Sequence, residues 1–229
     1  MRKTEVGAGL LLILLAFSYI TSLLLDFQFI SPYATLHEDL GFLSENTGTL
    51  RTSTLAWMAT SVLTLLASPL LFLALRKKQP FMARVTLLLM IGAATCFFLM
   101  ALNGFRLYQA AAEVAGKGVE ALEESMEISL LERFREEQLF RLLGSSFVGL
   151  WSFLLAFLRL KEARFPLLSS LLLATGGPVL ITFNALIYFQ GFDMDHLGRT
   201  SAMTAIIIGV MLLCIRLINK GFSPPAEED

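Results

Sequence analysis

Two short runs of this chain combine imidazole and carboxylate groups, His37-Glu38-Asp39 and Asp193-Met194-Asp195-His196. Together His37, Asp193, Asp195 and His196 offer the donors that zinc and other divalent cations take at about 2.0–2.2 Å, the set a metal-dependent hydrolase would need. Nothing in their spacing makes the two runs meet. A simpler assignment uses every residue: Asp193 caps the helix that follows, Asp195 and Arg199 pair at i, i+4, and His37 lies at the surface. The spacing favours that assignment. Metal analysis of the purified protein separates the two, since a hydrolase of this kind keeps a stoichiometric ion.

A second group is built for backbone chemistry. Thr175-Gly176-Gly177-Pro178 falls in the middle of a long apolar run, where Pro178 removes a donor and frees the carbonyl of Ala174 while the glycines loosen the preceding turn. Several carriers build ion or substrate sites from broken helices of this kind. Asn184 lies seven residues past Gly177 on nearly the same face, so Thr175, Gly176, Gly177, Pro178 and Asn184 form a candidate ligand pocket. The reading favoured over such a pocket is a proline kink packed on a neighbouring helix and repaired by Thr or Ser hydroxyls.

The third group is amphipathic. Between residues 106 and 141, Leu122, Met126, Leu130, Leu131 and Phe134 recur at helical spacing opposite Glu120, Glu123, Glu124 and Glu127, with a break at Gly116 and Gly118. A di-iron site would need Glu-x-x-His on its helices, and no histidine follows these glutamates. The acidic stripe is therefore read as solvated, and Leu122, Met126, Leu130 and Phe134 as an interaction face. No phosphate loop, HExxH or GxSxG motif is present, and the serines of Gly144-Ser145-Ser146 have no matched histidine and aspartate. The only cysteines, Cys96 and Cys214, lie in apolar runs and offer neither a disulfide framework nor a metal site. No cofactor is indicated.

The elements that carry these residues follow from charge. Six stretches, dense in Leu, Phe, Ile, Ala and Met, lack charged side chains for roughly sixteen to twenty-eight residues each. An ionised group at the bilayer centre costs several kcal/mol, so such runs mark membrane spans. The expected fold class is all-α: a polytopic membrane bundle of six helices within one domain over residues 1–229. The spans are placed at about 8–25, 54–75, 83–105, 141–159, 166–189 and 200–218. Residues 26–52, 106–140 and 190–199 form the segments on one side, and an amphipathic helix stands between spans three and four. Lys and Arg collect at Arg2, Lys3, Arg76, Lys77, Lys78, Arg84, Arg159, Lys161 and Arg164, while most carboxylates lie in the alternate segments. Cytoplasmic loops retain basic residues, so both termini are expected inside and the amphipathic helix outside.

Phe147-Val148-Gly149-Leu150-Trp151, then Phe165-Pro166-Leu167-Leu168, together with Leu75-Arg76-Lys77-Lys78 before the third span, resemble a bacterial family of six-helix membrane proteins of unknown function. That family pattern often has a histidine just before the fourth span, where this chain has Arg141. The resemblance covers nearly the whole chain; it implies the six-helix topology and a multi-pass protein of the bacterial inner membrane, and transfers no site. Without an enzyme motif, the expected role is a non-enzymatic binding or accessory component, with a small carrier or channel and an outer-face hydrolase as alternatives. The expected partners are the lipid bilayer and a membrane protein or a second copy of the chain, with no nucleic acid.

Overall fold

The computed structural model describes residues 2–27, 44–76, 79–117, 124–162, 167–190 and 196–220. Every regular element among them is an α-helix: α1 (Arg2–Phe27), α2 (Thr47–Leu75), α3 (Pro80–Lys117), α4 (Glu124–Glu162), α5 (Leu167–Gln190) and α6 (His196–Lys220). Hydrocarbon offers no partner for a free N–H or C=O, so a spanning segment must satisfy its backbone internally, as these helices do. Five of them carry apolar stretches long enough to cross a bilayer, namely Val6–Leu25, Thr47–Leu75, Pro80–Gly116, Glu136–Ala156 and Leu168–Phe189, and α6 carries a shorter one at Arg199–Ile215. The chain is an all-helical, multi-pass integral membrane protein.

The helices run on past the expected spans, in keeping with the helical reading of residues 106–141 and its break at Gly116 and Gly118: α3 continues to Lys117 and α4 includes residues from Glu124 onward. At 1.5 Å per residue these helices are about 57 and 58 Å long, against a hydrocarbon core of about 30 Å. The Ala-rich sequence after Arg106 and the Glu, Leu and Arg content after Glu124 favour helix strongly enough to carry both beyond the charge-free runs.

Two compact units divide the chain. One comprises Met1–Ala16, Val62–Ala94 and Leu142–Asp229, the other Phe17–Ser61 and Thr95–Arg141. In the second, Tyr19 of α1, Trp57 of α2 and Phe97 of α3 form an aromatic cluster with centroid separations of 5.5, 5.8 and 5.1 Å. Beside it, Thr60 Oγ1 lies 2.8 Å from Ser18 Oγ and 3.1 Å from Ser22 Oγ, linking α1 to α2. Lipid is as apolar as leucine, so helices here are held by packing and interhelical hydrogen bonds rather than by expulsion of water. Further along the same unit, Leu50 packs on Ala111 with Tyr108 beside them, while Leu107 and Val114 share that buried stripe of α3.

In the first unit α5 and α6 pack along each other. The hydroxyl of Ser169 donates to the Gly209 carbonyl at 3.1 Å, and a Cβ on Gly209 would stand 2.9 Å from Leu173 Cγ. Small residues let the two backbones approach. Large apolar side chains such as Leu14, Phe17, Leu65, Leu88 and Leu171 point outward, as a bilayer-facing surface requires. Two substitutions in the second unit test this account. Trp57→Ala, which removes a 3 % exposed ring from the aromatic cluster, is expected to cost about 3–5 kcal/mol. Thr60→Val is expected to cost about 1 kcal/mol. Reversible unfolding in mixed micelles measures both, and equal effects would contradict the larger share expected for the aromatic packing.

Candidate functional site

The residues expected to form a pocket all lie on α5, and the structure distributes them over several faces. Pro178 sits inside α5, which runs as one helix from Leu167 to Gln190. The hydroxyl of Thr175 bonds the Leu171 carbonyl at 2.8 Å, and that of Thr182 bonds the Pro178 carbonyl at 2.9 Å. Such back-bonding satisfies a hydroxyl within its own helix and bends it slightly. Thr175 and Pro178 face outward.

Adjacent glycines turn in different directions. A Cβ on Gly176 would meet Ile206 Cγ1 at 2.9 Å and the Ala202 carbonyl oxygen at 3.0 Å, both on α6. Gly177 faces α4 instead: its Cβ would collide with the Gly149 carbonyl oxygen and stand 2.8 Å from Ser152 Oγ. The approach is reciprocal, since a Cβ on Gly149 would lie 2.9 Å from the Gly177 carbonyl oxygen. Consecutive helix positions point about 100° apart, so a Gly-Gly pair lets one helix meet two neighbours at backbone distance.

Asn184 continues the α4 side. Its Nδ2 donates towards the Leu142 carbonyl at 3.2 Å, Ser145 Oγ at 2.9 Å and Ser146 Oγ at 3.0 Å. Ser145 in turn donates to the Leu142 carbonyl at 3.2 Å, and Ser152 to the Gly149 carbonyl at 2.8 Å. Thus Gly177 and Asn184 share one seam with α4, Gly176 belongs to the seam with α6, and Thr175 and Pro178 belong to neither. The α4 half of the seam was missed from sequence, where Ser145 and Ser146 were weighed only as nucleophiles. Its signal is small or hydroxyl residues at Ser145, Gly149 and Ser152, spaced like one face of a charge-free helix.

Three buried polar atoms on as many helices of this unit have no hydrogen-bond partner among the described residues: Thr86 Oγ1 on α3, Trp151 Nε1 on α4 and Asn184 Oδ1 on α5. Thr86 is unusual, because Thr54, Thr60, Thr175, Thr182 and Thr204 all bond the carbonyl four residues back.

The remaining sequence candidates fall largely outside the described residues. His37, Asp193 and Asp195 lie there, as does Leu122; His196 opens α6, and Met126, Leu130 and Phe134 lie on α4, but the side chains of these four lie outside the description. Among the described residues no cluster of three or more His, Cys, Asp or Glu side chains could hold a metal. In the second unit, Asn103 donates to Glu136 at 3.3 Å between α3 and α4, and Arg141 pairs with Glu137 at 2.8 Å along α4.

Apolar helices of spanning length, joined by hydroxyl and glycine seams, define a multi-pass membrane bundle. The chain belongs to the family described as a domain of unknown function (DUF4386), which matches residues 7–221. No curated protein and no solved structure matches it.

The seam can be tested by size. Gly177→Ala must push α5 from α4 and is expected to destabilise the fold by about 1–3 kcal/mol. Gly116→Ala meets open space and gains helix propensity, so it is expected to be neutral or stabilising by up to about 1 kcal/mol. Unfolding in mixed micelles gives the comparison, and equal effects at the two sites would contradict the close approach.

Proposed function

We propose that this protein is a non-enzymatic membrane component that binds a partner through the paired extensions of α3 and α4 beyond the bilayer. The observation that carries the reading is helix length. Residues 106–117 follow the charge-free run of α3, which ends before Arg106, and residues 124–135 precede the apolar stretch of α4, which starts at Glu136; each amounts to about 18 Å of helix. Consecutive spans leave the bilayer on one side at their shared connection, so both extensions stand on the same side. Contacts within their unit brace them: Asn103 reaches Glu136 at the base, and Leu107, Ala111 and Val114 of α3 are buried, with Leu50 of α2 on Ala111.

Leu122, Met126, Leu130 and Phe134 then form the face offered to the partner, a membrane protein or lipid. Charge asymmetry supports the accompanying topology: one membrane domain, both termini cytoplasmic, and the extensions outside, in the inner membrane of a bacterium. An extension of two helices with no enzyme motif is suited to contact rather than chemistry.

Two measurements test this. A photo-crosslinking residue at Met126 or Phe134 is expected to trap a partner absent from the adducts of Leu14, an exposed position within the first apolar stretch. Recovery of neither protein nor lipid above the Leu14 control would remove the reading. Glu132→Cys, with Cys96 and Cys214 changed to alanine, is expected to react with an impermeant maleimide on intact cells, because Glu132 is exposed. Labelling only after the membrane is opened would reverse the topology.

A further inference from the structure

We propose that the seam between α4 and α5 binds a neutral, hydroxyl-bearing amphiphile of the membrane, with Asn184 Oδ1 accepting the hydrogen bond from its hydroxyl. The amide is held in one orientation. Its nitrogen, with two protons, faces the Leu142 carbonyl and the Ser145 and Ser146 hydroxyls at 3.2, 2.9 and 3.0 Å. Reversing it would turn the oxygen towards the Leu142 carbonyl and leave two donors unpaired instead of one acceptor. Oδ1 is therefore fixed on the side of the amide away from these three groups. It has no partner, on a side chain only 2 % exposed. Enclosed carbonyl oxygens are costly unless a donor reaches them; the hydroxyls of Ser145, Ser152 and Thr182 donate to the Leu142, Gly149 and Pro178 carbonyls, and that of Ser146 lies on the Nδ2 side of the amide.

Depth selects the donor. Tyr188 and Phe189 close the apolar part of α5 as an exposed pair with ring centroids 5.1 Å apart, a pattern of the membrane–water boundary. Asn184 stands four residues, about 6 Å, inside that boundary. An ammonium or phosphate at this depth would carry a large desolvation cost, whereas an uncharged hydroxyl would not. A hydroxyl near the top of an acyl chain, as in a diacylglycerol, matches these requirements. A free polyol from the aqueous phase offers the same donor and is the alternative source.

Full-length protein in phosphatidylcholine nanodiscs distinguishes them, with dioleoylglycerol, trioleoylglycerol or no glyceride in the bilayer and, separately, glycerol in the buffer. Native mass spectrometry reads the retained glyceride, and thermal unfolding reads stabilisation. The wild-type protein is expected to retain dioleoylglycerol roughly five- to tenfold over trioleoylglycerol, which lacks the hydroxyl, the worth of about one hydrogen bond. Asn184→Leu is expected to reduce that ratio to about one. Equal retention of the two glycerides by the wild-type protein would overturn the proposal, whatever the variant does. Stabilisation by glycerol alone, with no preference between the glycerides, would overturn the assignment to a membrane alcohol.

Discussion

Hydrocarbon cannot hydrogen-bond, and each polar group placed in it has to find its partner within the protein. Helix formation solves this for the backbone. For side chains the same constraint produces a recurring local device, in which a hydroxyl donates to a carbonyl three or four residues earlier. Thr21, Ser22, Thr54, Thr60, Ser145, Ser152, Thr175, Thr182 and Thr204 all do so. Polar residues consequently pass through apolar helices without needing a neighbour, and their oxygen lone pairs stay available to one. Thr60 uses both capacities, donating to Ala56 while facing Ser18 and Ser22.

Association of the helices needs a different source of free energy, because moving leucine from lipid to a helix interface releases little. The two units draw on different means. In one, three aromatic rings and a hydroxyl cluster join α1, α2 and α3. In the other, glycines at Gly149, Gly176, Gly177 and Gly209 bring α4, α5 and α6 close enough for backbone carbonyls to take part. Glycine is weak in helices in water, at about 1 kcal/mol relative to alanine, but the absence of a Cβ here permits contacts that outweigh it. The proline of α5 fits the same scheme: it lies on an outward face, so its ring displaces no neighbouring helix.

Length sets apart the third and fourth helices. A bilayer specifies only the apolar middle of a spanning helix, and what continues beyond it is under ordinary aqueous rules of propensity and amphipathicity. The Ala-rich end of α3 and the charged start of α4 satisfy those rules, so the helices extend well past hydrocarbon instead of ending in loops.

Much of the architecture was legible in the sequence because exclusion of charge from hydrocarbon acts on each segment separately. Runs such as those between Arg51 and Arg76 or Arg84 and Arg106 declare themselves as spans without reference to any other part of the chain. Gly177 and Asn184 could likewise be placed on one face of α5 by helical periodicity alone. Which helix that face meets was not legible. Nothing local states that Gly176 looks to α6 and Gly177 to α4, or that Leu142, Ser145 and Ser146 hold the Asn184 amide so that its oxygen is left for another donor. Those pairings join residues far apart in the sequence, up to 42 positions for Asn184 and Leu142, and they depend on the rotation and depth of each helix in the assembled bundle, which only tertiary packing decides.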